Sequence, residues 1–305
     1  MKRVVSVSLG SSKGNKVFET EILGEPFRIE RIGTDGDRQR FARLFRELDG
    51  KVDALGVGGA DIYVVAAGRR YAFREIQRLV SGAKTTPVVD GSGLKHTLER
   101  ETIRRLVEEG VVDFTQERVL LVSAVDRYGM AEALSKACPN VVYGDALFAL
   151  GLPWRIRSYR TIQLAGTLLL PLVVRLPFQW FYPTGEKQEQ RTPKFRDVFE
   201  WATWIAGDKH YIRRYAPERM DGKTVLTQSI RKHDLEWLRS AGVRRLVTTT
   251  PEMGGETFAT NVMEGVVVAL AGKRPEQMTE EDYLSVLRRL GWRPNVLDLA
   301  AGASG

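Results

Sequence analysis

The sequence predicts an α/β protein made of two Rossmann-like domains with mostly parallel sheets. Apolar runs of strand length alternate along the chain with segments whose apolar residues follow helical spacing. Two of these runs end in the same way, at Gly144-Asp145 and at Gly207-Asp208. With 305 residues, the chain is long enough for two domains with substantial cores.

The alternation on both sides of residue 115 predicts where the domains lie. We predict an N-terminal α/β domain at residues 1–115. A nucleotide or ligand domain follows at residues 116–275, with an apolar insert at residues 158–183, and a C-terminal helix and tail occupy residues 276–305. The 43% of apolar and 28% of charged residues are typical of globular proteins.

Charge and rare residues limit the classes of partner. The net charge of +8 favours anionic partners, but the arginines are spread over many helices and no aromatic-basic motif indicates specific nucleic-acid binding. The single Cys138 excludes an internal disulfide and fits a reducing compartment. The three histidines lack metal-ligand spacing, so we expect no structural metal. No apolar signal segment follows Lys2-Arg3, and a cytoplasmic location is expected.

The stretch from Val119 to Asp145 predicts a strand, a turn, a helix and a second strand. Asp126 and Gly129 lie in the turn, and Asp145 follows the second strand about twenty residues after it. Dinucleotide folds place a ribose-binding carboxylate at this distance and a pyrophosphate at the helix N-terminus. The unit therefore predicts an NAD or NADP site, with an ordinary crossover or a site for another ligand as alternatives.

Further polar groups are expected at the same sheet edge. Asp208 follows one predicted strand, and Thr248-Thr249-Thr250 end another before a loop with Gly254 and Gly255. Hydroxyl groups, glycine amides and a helix start can together bind one anion. Asp208, Thr249, Thr250, Gly254 and Gly255 are therefore candidate ligand-binding residues, and an ordinary hydroxyl-rich strand end is the alternative.

The cluster Gly56-Val57-Gly58-Gly59-Ala60 after a predicted strand resembles the nucleotide-binding turn of shikimate and quinate dehydrogenases. The chain as a whole resembles sequences that carry a quinate 5-dehydrogenase label. Here the glycines precede another predicted strand, Ile62–Ala66, and not a helix, so they also fit a tight turn that leads into a hairpin.

The resemblance implies an NAD(P)-dependent oxidoreductase that acts on a hydroxylated carboxylic acid. It also implies a catalytic lysine and carboxylate, and Asp90 and Lys95 are the pair that one loop supplies. A capping carboxylate beside a solvated lysine is the alternative. A transferase or hydrolase that uses a nucleotide or phosphorylated ligand, and a non-enzymatic ligand-binding or membrane-surface protein, are the rival functions. The expected partner is a small anionic or hydroxylated substrate.

An apolar segment follows the central unit. Residues 161–174 carry no charge and are rich in leucine, Pro171 interrupts them, and Phe178, Trp180, Phe181 and Tyr182 come next. Fourteen residues are too few to span a membrane. We expect the segment to be buried against the body of the protein or in a homo-oligomer, with membrane-surface contact through residues 161–182 as the alternative.

Overall fold

The computed structural model describes residues 1–66, 68–175, 191–230, 232–250, 252–253, 256–257 and 259–299. The chain divides into two compact units. The first comprises Met1–Thr97, Thr167–Lys187 and Phe258–Trp292, and the second comprises Leu98–Gly166, Gln188–Thr257 and Arg293–Gly305. Both are α/β units with mostly parallel sheets, so the predicted fold class is confirmed.

The first unit contains a five-stranded sheet in the order β2-β3-β1-β4-β7, in which only β2 is antiparallel to its neighbour. The strands are β1 Lys2–Ser8, β2 Lys16–Ile22, β3 Glu25–Gly33, β4 Ala54–Gly58 and β7 Val88–Val89, with a separate hairpin of β5 Tyr63–Ala66 and β6 Arg69–Ala72. The helices are α1 Arg38–Leu48, α2 Arg74–Val80, the start of α3 Ser92–Glu108, the end of α5 Tyr159–Val173, α9 Thr260–Ala271 and α10 Glu280–Arg289.

The sheet of the first unit is apolar on both faces because helices cover both. Val5 and Val7 pack in one cluster with Phe41 and Phe45 of α1. On the other face α9 crosses β1 and β4, and a Cβ atom at Gly265 would lie only 2.8 Å from Val4 Cγ1. Glycine at this position lets α9 pack directly on the sheet.

The second unit contains a six-stranded sheet in the order β15-β12-β11-β10-β8-β9, in which only β15 is antiparallel. The strands are β8 Val119–Leu121, β9 Val141–Tyr143, β10 Trp204–Ala206, β11 Thr224–Thr227, β12 Arg245–Thr248 and β15 Asn295–Asp298, with a small hairpin of β13 Glu252–Met253 and β14 Glu256–Thr257. The helices are the remainder of α3 and of α5, with α4 Tyr128–Ala137, α6 Arg196–Trp201, α7 Lys209–Tyr215 and α8 Lys232–Ser240.

The parallel strands of the second sheet lie in the order β9-β8-β10-β11-β12. If β8 is counted as strand 1, this is the doubly wound order 2-1-3-4-5. The chain leaves β8 towards β9 on one side and then returns to add β10 on the other. The loops after β8 and β10 therefore run in opposite directions. In open α/β sheets, this switch point is where ligands bind at the carboxyl edge.

Several local predictions are confirmed. The hairpin after residue 16 is β2 and β3, and the glycines that end β4 lead into the β5 and β6 hairpin instead of a helix. Leu9 N donates to Gly58 O over 2.9 Å, and Gly59 has a positive φ of 74°. These glycines therefore form the tight turn that was the second interpretation of this motif.

Other predictions differ from the structure. Each unit is built from three separate segments of the chain, so the predicted contiguous domain of residues 116–275 is not observed. Helix α9 belongs to the first unit, because most of its residues are buried and it packs on β1 and β4. Helix α4 begins at Tyr128, so Gly129 lies in its first turn and not in the preceding loop. Pro171 does not end α5, which continues for two more residues to Val173.

The apolar segment is only half covered. Leu170 and Val174 are buried, but Leu164, Leu168, Leu169 and Leu172 are between 52% and 62% exposed. The expectation of burial against the body of the protein is therefore wrong for these four leucines, and burial in a homo-oligomer stays a prediction. The aromatic residues Phe178, Trp180, Phe181 and Tyr182 lie outside the described residues.

Candidate functional site

Two carboxylates and one guanidinium meet at the switch point of the second sheet. Asp126 and Arg127 follow β8, and Asp208 follows β10. Arg127 Nη2 donates to Asp208 Oδ2 over 2.9 Å, and Arg127 Nε lies 3.1 Å from Asp126 Oδ2. The guanidinium is buried, whereas the side chains of Asp126 and Asp208 are 32% and 22% exposed. We call Asp126, Arg127, Asp208 and the neighbouring Tyr211 the switch-point cluster.

Glu99 of α3 holds the same guanidinium from inside the unit. Its side chain is fully buried; Oε1 accepts from Arg127 Nη1 over 3.3 Å, and Oε2 accepts from the backbone amide of Met130 over 3.0 Å. Met130 lies in the first turn of α4, where an unpaired amide ordinarily attracts an anion. A carboxylate of the chain itself therefore occupies part of the place where a pyrophosphate would bind in a dinucleotide fold.

Asp145 shapes the loop that carries the cluster. Its Oδ2 accepts from the amide of Ala124 over 2.9 Å, and its Oδ1 accepts from the amide of Val125 over 3.0 Å. Burial raises the pKa of Asp145, and these two hydrogen bonds oppose the rise. Asp145 thus fixes the turn after β8, and its role in ribose binding stays a prediction.

Tyr211 adds a hydroxyl group to the cluster. It lies in the first turn of α7, and its amide donates to Asp208 Oδ1, which caps the helix. Burial, followed by the negative charge of Asp126, raises the pKa of Tyr211 to about 12. The phenol therefore stays protonated at neutral pH and can donate a hydrogen bond.

The other predicted residues of this sheet edge lie apart from the cluster. Thr249 and Thr250 follow β12, which is separated from β10 by β11, and both side chains are almost fully buried. Their amides donate to Thr227 O and Gln228 O over 3.0 and 2.9 Å, so they extend the pairing of β11 with β12. Gly254 and Gly255 lie outside the described residues.

The predicted pair Asp90 and Lys95 belongs to the first unit. Asp90 follows β7; its Oδ2 accepts from the amides of Ile62 and Tyr63, both over 2.7 Å, and its Oδ1 accepts from the amide of Ser92 over 2.9 Å. Asp90 thus caps α3 and fixes the start of the β5 hairpin. Lys95 lies in the first turn of α3. Their catalytic roles stay predictions.

A second carboxylate lies beside Asp90, in the middle of α9. Glu264 is buried; its Oε2 accepts from the amide of Gly91 and its Oε1 from the hydroxyl of Tyr283, both over 2.6 Å. Burial, with the charge of Asp90 second, raises the pKa of Glu264 to about 7. A Cβ atom at Gly93 would lie 2.4 Å from Glu264 Oε1, so glycine there makes room for the carboxylate.

Depressions in the surface of the first unit include two beside the start of β7. Two depressions, with volumes of about 200 and 340 Å³, share Pro87 and Arg274 in their walls. Pro87 precedes β7, so both depressions extend to the amino end of that strand, whereas α/β sheets bind ligands at the carboxyl edge. The chemistry of the switch-point cluster therefore identifies the candidate site better than cavity volume does.

Sequence reasoning missed Glu99, Arg127, Tyr211 and Glu264. Two of them carried a signal. Glu99 precedes Ile103 by four residues and so lies on the apolar face of α3, and Glu264 is the only charged residue between Thr260 and Ala271. An acid on a buried helix face requires a partner. Within the described part of the chain, no group of three or more His, Cys, Asp or Glu residues could hold a metal ion.

Family models match almost the entire chain. The model described as Domain of unknown function (DUF8754) matches residues 93–299, and Domain of unknown function (DUF8753) matches residues 3–90. The first covers more than half of the chain, which therefore belongs to the DUF8754 family. The two models meet just before α3. No curated protein matches the chain.

Solved structures resemble the chain only distantly. A galactofuranose binding protein is 12% identical, with 99% of this chain and 96% of that chain covered and a TM-score of 0.38. A sugar ABC transport system substrate-binding protein from Bordetella parapertussis is 11% identical, with 100% of this chain and 92% of that chain covered and a TM-score of 0.39. The NAD-dependent malic enzyme of Thermotoga maritima is 12% identical, with 95% of this chain and 84% of that chain covered and a TM-score of 0.37.

Proposed function

We propose that the chain is a ligand-binding α/β protein whose second unit holds a small, neutral, hydroxyl-rich molecule at the switch-point cluster. One observation carries the proposal: Asp126, Arg127 and Asp208 converge where the strand order reverses, and both carboxylates are partly accessible to solvent. Carboxylates accept hydrogen bonds from hydroxyl groups, and the Tyr211 phenol can donate one. A few such groups at one edge suffice to orient a small ligand.

The charge balance of the site selects the class of ligand. Asp126, Asp208 and Glu99 all contact the one guanidinium of Arg127. On α7, Lys209 and Arg213 are both paired with Asp234 of α8. Among these described residues, three carboxylates share one guanidinium, and this excess of negative charge opposes a phosphate or a carboxylate and favours a neutral polyol or sugar.

Calorimetric titration with neutral monosaccharides and polyols tests the proposal. We expect at least one of them to bind the native chain, and Asp126→Asn to weaken binding about ten- to hundredfold, because a hydrogen bond to a charged group contributes roughly 1.5–3 kcal/mol. Asp221→Asn is the matched control, since Asp221 is also an exposed acid paired with a nearby arginine, Arg219. Equal affinity of the native chain and Asp126→Asn would contradict the assignment.

Oxidation of a hydroxylated carboxylic acid by NAD or NADP, as the dehydrogenase resemblance implies, is a second candidate. The unit of β8, α4 and β9, with Asp145 at its end, favours it. A dinucleotide at this unit would have to displace Glu99 from the Met130 amide, so we expect NAD, NADP and quinate to bind more weakly than neutral ligands. Tight NAD binding, with a preference over NADP that Asp145→Ala abolishes, would support the dehydrogenase instead.

A further inference from the structure

Helix α5 is apolar on two opposite faces, and only one of them is covered. Ile162, Leu170 and Val174 are buried, at positions that repeat every four residues. Leu164, Leu168 and Leu172 repeat in the same way on the opposite face, and each is at least 61% exposed. Leu169 extends this second face and is 52% exposed. We call Leu164, Leu168, Leu169 and Leu172 the leucine face.

An exposed leucine face of this kind is unusual for a chain that acts alone. A helix that is apolar all round is ordinarily buried, and contiguous exposed apolar patches mark sites of interaction. The exposed face therefore requires a partner that offers an apolar environment. Among the described residues, no helix combines the length and the apolar character that a membrane crossing needs.

Charge around the helix indicates the chemistry of that partner. From Ala146 to Gly185 the sequence contains four arginines and no aspartate or glutamate. Arg155 pairs with Asp197, and Arg157 lies over the ring of Trp201. Arg160 and Arg175 are exposed at the two ends of the leucine face, and neither forms an ion pair within the described part of the chain. An apolar surface that carries negative charge would satisfy both features.

A second copy of this chain fits the same face less well. If two α5 helices packed antiparallel through their leucine faces, Arg160 of each copy would lie near Arg175 of the other, because the leucines are centred between these residues. A parallel arrangement would place each arginine beside its own equivalent. No acid on α5 could neutralise either contact. Like charges at the rim of an interface oppose association.

We propose that the leucine face of α5 docks on an anionic lipid surface. The leucines would enter the boundary between headgroups and acyl chains while Arg160 and Arg175 contact lipid phosphates or carboxylates. The helix would lie in the plane of the membrane, since its fifteen residues are too few to cross it. This docking does not depend on the ligand proposed for the second unit.

Cosedimentation of the full chain with vesicles tests this proposal. We expect binding to phosphatidylcholine vesicles that contain phosphatidylserine and no binding to phosphatidylcholine alone. Leu168→Glu should abolish binding at an unchanged melting temperature, because its side chain is already 62% exposed. Val107→Glu places the same acid at another exposed apolar position of a helix, with Val107 45% exposed, and should bind as the native chain does.

A pair of charge variants separates lipid attraction from net charge. Arg160→Gln with Arg175→Gln should weaken binding at least about tenfold, whereas Arg239→Gln with Arg289→Gln should change it little. The proposal is overturned if the native chain ignores phosphatidylserine vesicles or if Leu168→Glu still binds them. It is also overturned if the native chain sediments as a dimer that Leu168→Glu converts to a monomer without any vesicle binding.

Discussion

Replacement of Arg127 by leucine should lower the free energy of unfolding by about 3–5 kcal/mol. The reason is Glu99, whose side chain is fully buried and whose Oε1 accepts from Arg127 Nη1. Without the guanidinium, this carboxylate would remain in the interior beside the Met130 amide, with its negative charge no longer balanced by Arg127. Urea unfolding followed by tryptophan fluorescence measures the change.

Two further variants test the cause of this loss. Glu99→Gln added to Arg127→Leu should recover a large part of the stability, because a neutral side chain replaces the uncompensated charge. Arg219→Leu removes an exposed arginine that pairs with the exposed Asp221, and it should cost less than about 1 kcal/mol. A loss for Arg127→Leu no larger than that for Arg219→Leu would show that the buried pair is not a structural requirement.

Replacement of Glu264 by glutamine should remove a pH dependence of stability in the first unit. The pKa of Glu264 is raised to about 7 in the folded chain by burial, against an ordinary value of 4.5. Between these two values the folded state binds more protons than the unfolded state, so this group makes stability fall as the pH rises. The loss is complete above the folded pKa and amounts to about 3 kcal/mol, since each pKa unit corresponds to roughly 1.4 kcal/mol.

The difference between the native chain and Glu264→Gln isolates this contribution. Glutamine can accept from the Gly91 amide and donate to the Tyr283 oxygen, so the packing is preserved. The two proteins should be equally stable near about pH 4, below the ordinary pKa, and the variant should be more stable by about 3 kcal/mol near about pH 8. Glu276→Gln, at an exposed position of the same unit, is the control. Parallel pH profiles for native and Glu264→Gln would refute the account of this site.

Local patterns were sufficient to predict much of the fold. The apolar runs and turn residues predicted β2 with β3, and the glycines after β4 fit the turn that leads into a hairpin, because these features depend on neighbours in sequence. The strand β15 was missed: its four residues pair with β12, from which it is separated by the whole of α9 and α10. Its place depends on tertiary pairing that short-range periodicity does not encode.

The candidate site was predicted only in part for the same reason. Asp126 and Asp208 were expected at one sheet edge, and the structure joins them through Arg127, which is 81 residues from Asp208. The amide of Gly91 binds a carboxylate 173 residues away. Sequence showed which groups were polar, but whether a carboxylate is already bonded to the chain depends on such distant partners. These partners distinguish Asp126, whose side chain is partly accessible to solvent, from Asp145, whose two carboxylate oxygens both accept hydrogen bonds from backbone amides.

Amide chemical-shift mapping with neutral monosaccharides tests the central claim most directly, because it shows where a ligand binds as well as whether it binds. We expect the largest shifts at residues 123–127 and 207–211, the two loops that meet at the switch point. Asp126→Asn should reduce these shifts at a fixed sugar concentration, and Asp221→Asn should leave them unchanged. Shifts centred on Asp90 to Lys95, or shifts with NAD and quinate but none with any neutral sugar, would contradict the assignment of a hydroxyl-rich ligand to this cluster.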